Sequence, residues 1–254
     1  MGQFGDQFKD KVAIVTGSGG GIGQAYVEAL AREGAAVVVA DINTEAADGV
    51  AKQIVADGGT AISVPVDVSD PDSAKAMADR TLAEFGGIDY LVNNAAIFGG
   101  MRLDFLVTVD PEYYRKFMSV NLDGALWCTR AVYKKMAKRG GGAIVNQSST
   151  AAWLYSNFYG LAKTGINGLT QQLSRELGGQ NIRINAIAPG PIDTEANRTT
   201  TPQEIVADIV KGLPLSRMGT PEDLVGMCLF LLSDQASWIT GQIFDVDGGQ
   251  IIRS

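Results

Sequence analysis

The sequence predicts a single α/β domain, spanning residues 1–254, built on a doubly wound parallel sheet of seven strands with helices on both faces. Three observations carry this prediction. Short runs rich in β-branched and other apolar residues recur along the chain, longer helix-patterned stretches separate them, and a glycine-rich turn joins the first run directly to the first helical stretch.

The strand-like runs are KVAIVT (11–16), AVVVAD (36–41), AISVPV (61–66), IDYLVNN (88–94), GAIVNQSS (142–149), IRINAIAP (182–189) and QIFDVD (242–247). They are apolar at nearly every position, as strands covered on both faces must be. Helices are expected near 22–33, 44–57, 71–85, 111–138, 158–177 and 221–232. Thr44 offers a hydroxyl cap, although no acidic residue follows three positions later. Asp70-Pro71 and Asp110-Pro111 each place a capping carboxylate before a proline at the first helical position, and Thr220-Pro221-Glu222-Asp223 does the same with a hydroxyl. No repeat, linker or low-complexity segment interrupts the alternation.

Composition narrows the chemistry. The chain has no histidine, so histidine triads, histidine bases and the common zinc sites are excluded, and no metal site is expected. Proton transfer must fall to Tyr, Lys, Asp, Glu or a thiol. Cys128 and Cys228 lack metal spacing and fit a reducing compartment. A net charge of -7 argues against nucleic acid and anionic membranes as partners. MGQFGDQFKD has no apolar run of a signal peptide, and Asp6 stands where a myristoylation site needs Ser or Thr. A soluble cytoplasmic protein is expected.

The first strand runs into Thr16-Gly17-Ser18-Gly19-Gly20-Gly21-Ile22-Gly23 and then a helix. A tight turn at a helix N-terminus offers unpaired N–H groups and the positive dipole end to a pyrophosphate. The second strand ends at Asp41, whose carboxylate can accept both hydroxyls of an adenosine ribose and repels a 2′-phosphate. No Arg or Lys lies in the turn or directly after Asp41, where Ile42 stands, so NAD(H) is preferred over NADP(H).

The pattern T-G-x-x-x-G-x-G resembles the turn of the short-chain dehydrogenase/reductase family, and further landmarks follow in order along nearly the whole chain. Asp67-Val68 resembles the pair that contacts adenine. Asn93-Asn94-Ala95-Ala96 resembles the N-N-A-G signature, with Ala96 replacing the glycine. Asn121, Ser149, Tyr159 and Lys163 match the catalytic positions, the last two as Y-x-x-x-K. Pro189-Gly190, followed by Pro191-Ile192-Asp193-Thr194, resembles the segment that holds the nicotinamide. The resemblance implies a Rossmann-like fold and a cofactor site formed by Gly17, Ser18, Gly21, Ile22, Gly23, Asp41, Ile42, Asp67, Val68, Asn94, Ala95, Ala96, Tyr159, Lys163, Pro189, Gly190, Ile192 and Thr194.

It further implies interconversion of a secondary alcohol and a ketone. Residues four apart share a helix face, so Tyr159 and Lys163 can both face one crevice. A free phenol titrates near 10. The lysine ammonium and an oxidised nicotinamide would lower that value, leaving Tyr159 as general base in oxidation and acid in reduction. Ser149 would hold the substrate oxygen, Lys163 would bind the nicotinamide ribose, and Asn121 would hold a water linking Lys163 to solvent. Ser148 is a second serine, expected by strand alternation on the sheet's other side.

Only nine residues separate Ser149 from Tyr159, and they are unusually aromatic. Ala151, Trp153 and Phe158 are therefore candidates for a compact apolar substrate pocket. The other reading buries Trp153 or Tyr155 in a subunit interface. Residues 193–215, with Thr199-Thr200-Thr201-Pro202 and then EIVADIVKGL, resemble a substrate lid, the alternative being a surface helix-loop. Family analogy implies a homotetramer or homodimer through helices 111–138 and 158–177, the latter carrying Gly165 and Gly168, and through an apolar C-terminal edge strand. Two other functions stand beside this one. A 3-oxoacyl-thioester reductase acting on an acyl-carrier-protein or coenzyme A substrate would favour a basic patch at the pocket mouth, for which Arg102 and Arg198 are candidates. A non-catalytic NAD(H)-binding sensor would keep the fold without turnover.

Overall fold

The computed structural model describes residues 4–154 and 156–253. Its elements, in chain order, are β1 (Val12–Thr16), α1 (Gly21–Arg32), β2 (Ala36–Asp41), α2 (Thr44–Ala56), β3 (Thr60–Pro65), α3 (Pro71–Phe85), β4 (Tyr90–Asn93), α4 (Pro111–Met118), α5 (Gly124–Lys138), β5 (Gly142–Gln147), α6 (Asn157–Leu177), β6 (Ile182–Pro189), α7 (Glu195–Thr200), α8 (Gln203–Gly212), α9 (Pro221–Leu232) and β7 (Ile243–Val246). The strands form one sheet in the order β3-β2-β1-β4-β5-β6-β7, every pair parallel.

Side-chain alternation divides the core in two. Val15, Val37, Val39, Val92 and Val145 meet Tyr26, Val27 and Leu30 of α1, Ile54 of α2 and Leu224 of α9. Ile14, Val38, Leu91, Ile144 and Ile184 point the other way, against Met77 of α3, Val132 and Met136 of α5, and Leu173 of α6. This is why the strands read as continuous apolar runs. The edge strands β3 and β7 are the partial exceptions: β7 is half-buried throughout, not covered as expected of a buried edge, and Trp238 before it is 97% exposed. Between β1 and its neighbours β2 and β4 the winding reverses, and a crevice opens there at the carboxyl ends of the strands.

Asp70 and Asp110 cap α3 and α4 as expected, each carboxylate accepting from the N–H two residues on. At α2 the cap is Asn43 rather than Thr44, because the Asn43 side chain reaches the Ala46 N–H at 3.1 Å. The helix expected over 111–138 carries a π-helical turn at Ser119–Asp123, between α4 and α5. The threonine-rich segment after Thr194 is itself helical, as α7, with the Thr194 hydroxyl accepting from Asn197 N–H. Among the described residues no helix is long and apolar enough to cross a membrane.

Candidate active site

A cleft of about 1000 Å³ follows the crevice from Asp41 and Ile42 at one end to Ser149, Tyr159 and Lys163 at the other. Gly17, Gly21, Ile22, Asp67, Val68, Asn94, Ala95, Ala96, Pro189, Gly190, Ile192 and Thr194 line the path between. Two of the expected residues stand behind its wall. Ser18 is fully buried, its hydroxyl donating to Val15 O at 2.7 Å and accepting from Ala40 N–H, so that side chain braces the turn instead of facing the cleft. Gly23 packs directly beneath Gly17.

Both ends of the glycine turn are tied down. Asn94 Nδ2 donates to the carbonyls of Thr16 and Gly17 at 3.0 and 2.9 Å. Asp41 Oδ2 accepts from Gly19 N–H at 2.9 Å while Oδ1 accepts from Asn43 N–H. No side chain caps the N-terminus of α1, which leaves its first N–H groups for whatever enters the cleft. A glycine cradle opening on a helix N-terminus, with a carboxylate at the neighbouring strand tip, fits the pyrophosphate and ribose of a dinucleotide.

At the other end α6 begins at Asn157, whose Oδ1 accepts from Tyr159 N–H at 3.0 Å. This start turns Phe158 into the protein and Tyr159 towards the cleft. The Ser149 hydroxyl lies near enough to the Tyr159 phenol to lower its pKa. Lys163 is buried, with Nζ donating to Gln147 O at 2.8 Å and lying 5.7 Å from the Tyr159 ring centroid. The electrostatics differ from the sequence expectation. Although the phenol is partly open to the cleft, desolvation by the protein around it pushes its pKa up to about 12, outweighing the lowering effect of Ser149. Burial pushes Lys163 down to about 8. A lysine held on a carbonyl this far from the ring does not by itself make a phenolate, so at neutral pH Tyr159 keeps its proton.

Asn121 sits in the π-helical turn, where its side chain accepts from Ile97 N–H at 2.9 Å and donates to Ile97 O at 3.3 Å. A cavity of about 10 Å³ separates it from Lys163 and is also lined by Asn93 and Gln147. Buried atoms Asn93 Oδ1 and Gln147 Nε2, one an acceptor and one a donor, have no hydrogen-bond partner among the described residues. Such a polar space has the size of a single water.

Among the described residues of the aromatic segment before Tyr159, none lines this cleft. Phe158 is fully buried, edge-on to Phe117 at 4.7 Å and to Tyr113 at 5.9 Å. Ala151 is buried behind the cleft wall, and Trp153 lies beneath the Arg253 guanidinium at 4.1 Å. Tyr155 lies outside the described residues. Ser148 is on the α6 side of the sheet, donating to Asn167 Oδ1 at 2.6 Å, and lines the cleft with Ser149, because β5 ends at Gln147 and strand alternation no longer separates the two serines.

The wall beside Tyr159 comes instead from Phe98, whose ring lies 5.3 Å from that of Tyr159, and from Tyr113, Ala196 and Thr199. No local motif marks these residues in the sequence. The paired tyrosines opening α4 were the nearest signal. The Thr200 hydroxyl donates to Phe98 O and accepts from Gly100 N–H, both at 2.9 Å, so α7 is fastened across the cleft to the loop after β4.

Comparison with known proteins agrees with this arrangement. A family model described as enoyl-(acyl carrier protein) reductase matches residues 17–250. An uncharacterized oxidoreductase of Mycobacterium tuberculosis is 80% identical over 247 residues, covering 97% of this chain and 100% of that protein. A 3-oxoacyl acyl-carrier-protein reductase of Thermotoga maritima is 36% identical over 250 residues, covering 97% and 100%. Among solved structures, a 7α-hydroxysteroid dehydrogenase in complex with NADH and 7-oxo glycochenodeoxycholic acid superposes with a TM-score of 0.91 at 33% identity, covering 100% of both chains. With matches of this extent in both sequence and fold, the chain belongs to the short-chain dehydrogenase/reductase family of oxidoreductases.

Proposed function

We propose that the protein is an NAD(H)-dependent oxidoreductase that interconverts a secondary alcohol and a ketone. One observation carries the reading: Ser149, Tyr159 and Lys163 converge at one end of a cleft whose other end holds Asp41 beside the glycine turn. Bound nicotinamide would supply the hydride acceptor or donor and, when oxidised, a positive charge near the phenol. The protein's own residues do the rest. In reduction Tyr159 gives its proton to the carbonyl oxygen while Ser149 hydrogen-bonds and orients that oxygen. In oxidation the phenol must first lose its proton. Lys163 lowers the cost only to the degree that it stays charged, which its own depressed pKa limits above about 8. The water-sized cavity between Lys163 and Asn121 supports Asn121 as the residue that holds a water linking Lys163 to solvent. Segment 193–215 acts as the lid, a role supported by the Thr200 fastening.

Asp41 supports NAD(H) over NADP(H), since a 2′-phosphate would meet its carboxylate and the exposed Ile42. The runner-up, a 3-oxoacyl-thioester reductase, draws support from the Thermotoga relative. Of its two candidate basic residues, Arg198 is already paired with Asp193 at 2.7 Å, while Arg102 stacks over the Tyr113 ring at 4.8 Å near the cleft mouth.

The deciding assay follows NADH and NADPH consumption with a panel of cyclic, steroid, sugar and 3-oxoacyl-thioester ketones. NADH-driven reduction of free ketones supports the proposal, and NADPH-driven reduction of thioesters alone favours the runner-up. Binding of NADH with no turnover across the panel favours a sensor. The double substitution Asp41→Ser, Ile42→Arg should move the NADPH/NADH ratio of kcat/KM upwards by at least about tenfold, roughly the worth of one charge-assisted contact. An unchanged ratio would remove Asp41 from the argument.

We also propose assembly as a homotetramer or homodimer. The half-buried β7 edge, with Trp238 and Ile252 exposed beside it, supports this. Light scattering on the eluting protein tests it, and a monomer at micromolar concentration would count against it.

A further inference from the structure

The turn that carries Ser149 is built from contacts a hundred residues away. Ser149 is the extended residue before a short 3-10 turn, Thr150–Ala152, and its Oγ accepts from Ala151 N–H at 3.1 Å. The placement of the hydroxyl therefore depends on the placement of that turn. The C-terminal segment grips it at both ends. At its start the Thr150 hydroxyl donates to Gln250 Oε1 at 2.8 Å, with Pro189 O 3.2 Å away. At its end Trp153 is covered by the Arg253 guanidinium, which is itself held on Asp245 Oδ2 by Nε at 3.0 Å and by Nη2 at 2.7 Å.

The gripping segment is itself rigidly folded. Asp247 Oδ1 and Oδ2 accept from Gly249 and Ile251 N–H at 2.9 and 2.7 Å, closing the chain back on itself. It also lies flush against the other wall of the cleft: a Cβ on Gly190 would come within 2.7 Å of Asp247 Cα. Asp245 stands on the edge strand with Oδ1 buried and without a hydrogen-bond partner among the described residues, and Arg253 is the cation paired with its other oxygen. Burial raises its pKa, against the lowering effect of Arg253.

We infer that the C-terminal segment is a clamp that sets the position of Ser149, with Gln250 and Arg253 as positioning residues acting through Thr150 and Trp153. The inference rests on the proposed role of Ser149 in holding the substrate oxygen. Neither residue lines the cleft. A misplaced Ser149 hydroxyl weakens orientation of the carbonyl in the transition state, so the loss falls on kcat more than on coenzyme binding.

The test compares Gln250→Ala, Gln250→Glu, Arg253→Ala and Ser149→Ala in the full-length enzyme. The ketone is the best one found in the panel, and the readouts are kcat, KM for ketone and NADH, and Tm. Gln250→Ala and Arg253→Ala should each lower kcat about tenfold with the NADH KM changed less than twofold; Tm should stay within about 2 °C for Gln250→Ala and fall further for Arg253→Ala, which leaves the Asp245 carboxylate without its ion pair. Gln250→Glu keeps an acceptor oxygen for Thr150 and should recover most of kcat. If Ser149→Ala lowers kcat while the clamp variants do not, the clamp is refuted and the Ser149 reading survives. If Ser149→Ala leaves kcat intact, the Ser149 reading fails and takes the clamp with it. A loss of kcat that tracks an equal loss of Tm and NADH binding, or that Gln250→Glu fails to recover, reduces the segment to ordinary structural support and overturns the inference.

Discussion

Tyr159→Phe should lower turnover by about 10²–10⁴-fold, the range a positioned general acid contributes, and leave NADH affinity nearly intact. Little else should change. The phenylalanine ring keeps the packing against Phe98 and Phe117, and what is removed is the hydroxyl beside Ser149. Net stability should shift by no more than about 1 kcal/mol, the usual worth of one hydrogen bond. Steady-state rates, NADH fluorescence titration and thermal melting separate these effects. Retained turnover would show that another group moves the proton, and without histidine the chain has few alternatives.

Gly23→Ala should damage coenzyme binding from a position behind the cleft wall. A Cβ there would overlap the Gly17 carbonyl oxygen and come within 2.6 Å of Asn94 Nδ2. Neither can give way easily: one is backbone in the tight turn, and the other is an amide already donating to Thr16 O and Gly17 O. Overpacking of this kind costs about 1–3 kcal/mol. In a chain of this size each kcal/mol lowers Tm by about 2–4 °C. The displaced turn should also weaken NADH binding at least about tenfold, measured by fluorescence or calorimetry. Normal affinity in a destabilised variant would mean that the turn is only structural.

The two variants bracket what was legible in the chain. The helix and strand boundaries were readable to within a few residues, because apolar periodicity and capping chemistry act over a few neighbours; β2, α3, β6 and α9 begin and end where their patterns do. The chain's own T-G-x-x-x-G-x-G turn and Y-x-x-x-K spacing were equally local, and the fold brings them to one cleft. Thr44 was misread as a cap because two neighbouring residues can each cap a helix, and backbone geometry chose Asn43. The π-helical turn at Asn121 has no signature in residue type.

What the sequence by itself determined was the doubly wound architecture, the cradle beside Asp41 and the spacing of Tyr159 and Lys163. Each follows from backbone preferences, apolar periodicity and spacing that can be read along the chain. What only the tertiary structure decided was which side chains face the reacting end and how they titrate. Phe158 turns inward because Phe117 and Tyr113 wait there, Trp153 serves Arg253 instead of the cleft, and Phe98 and Tyr113 take the wall. The pKa values of Tyr159 and Lys163 follow the same rule, since burial, which dominates both, is a sum over distant segments.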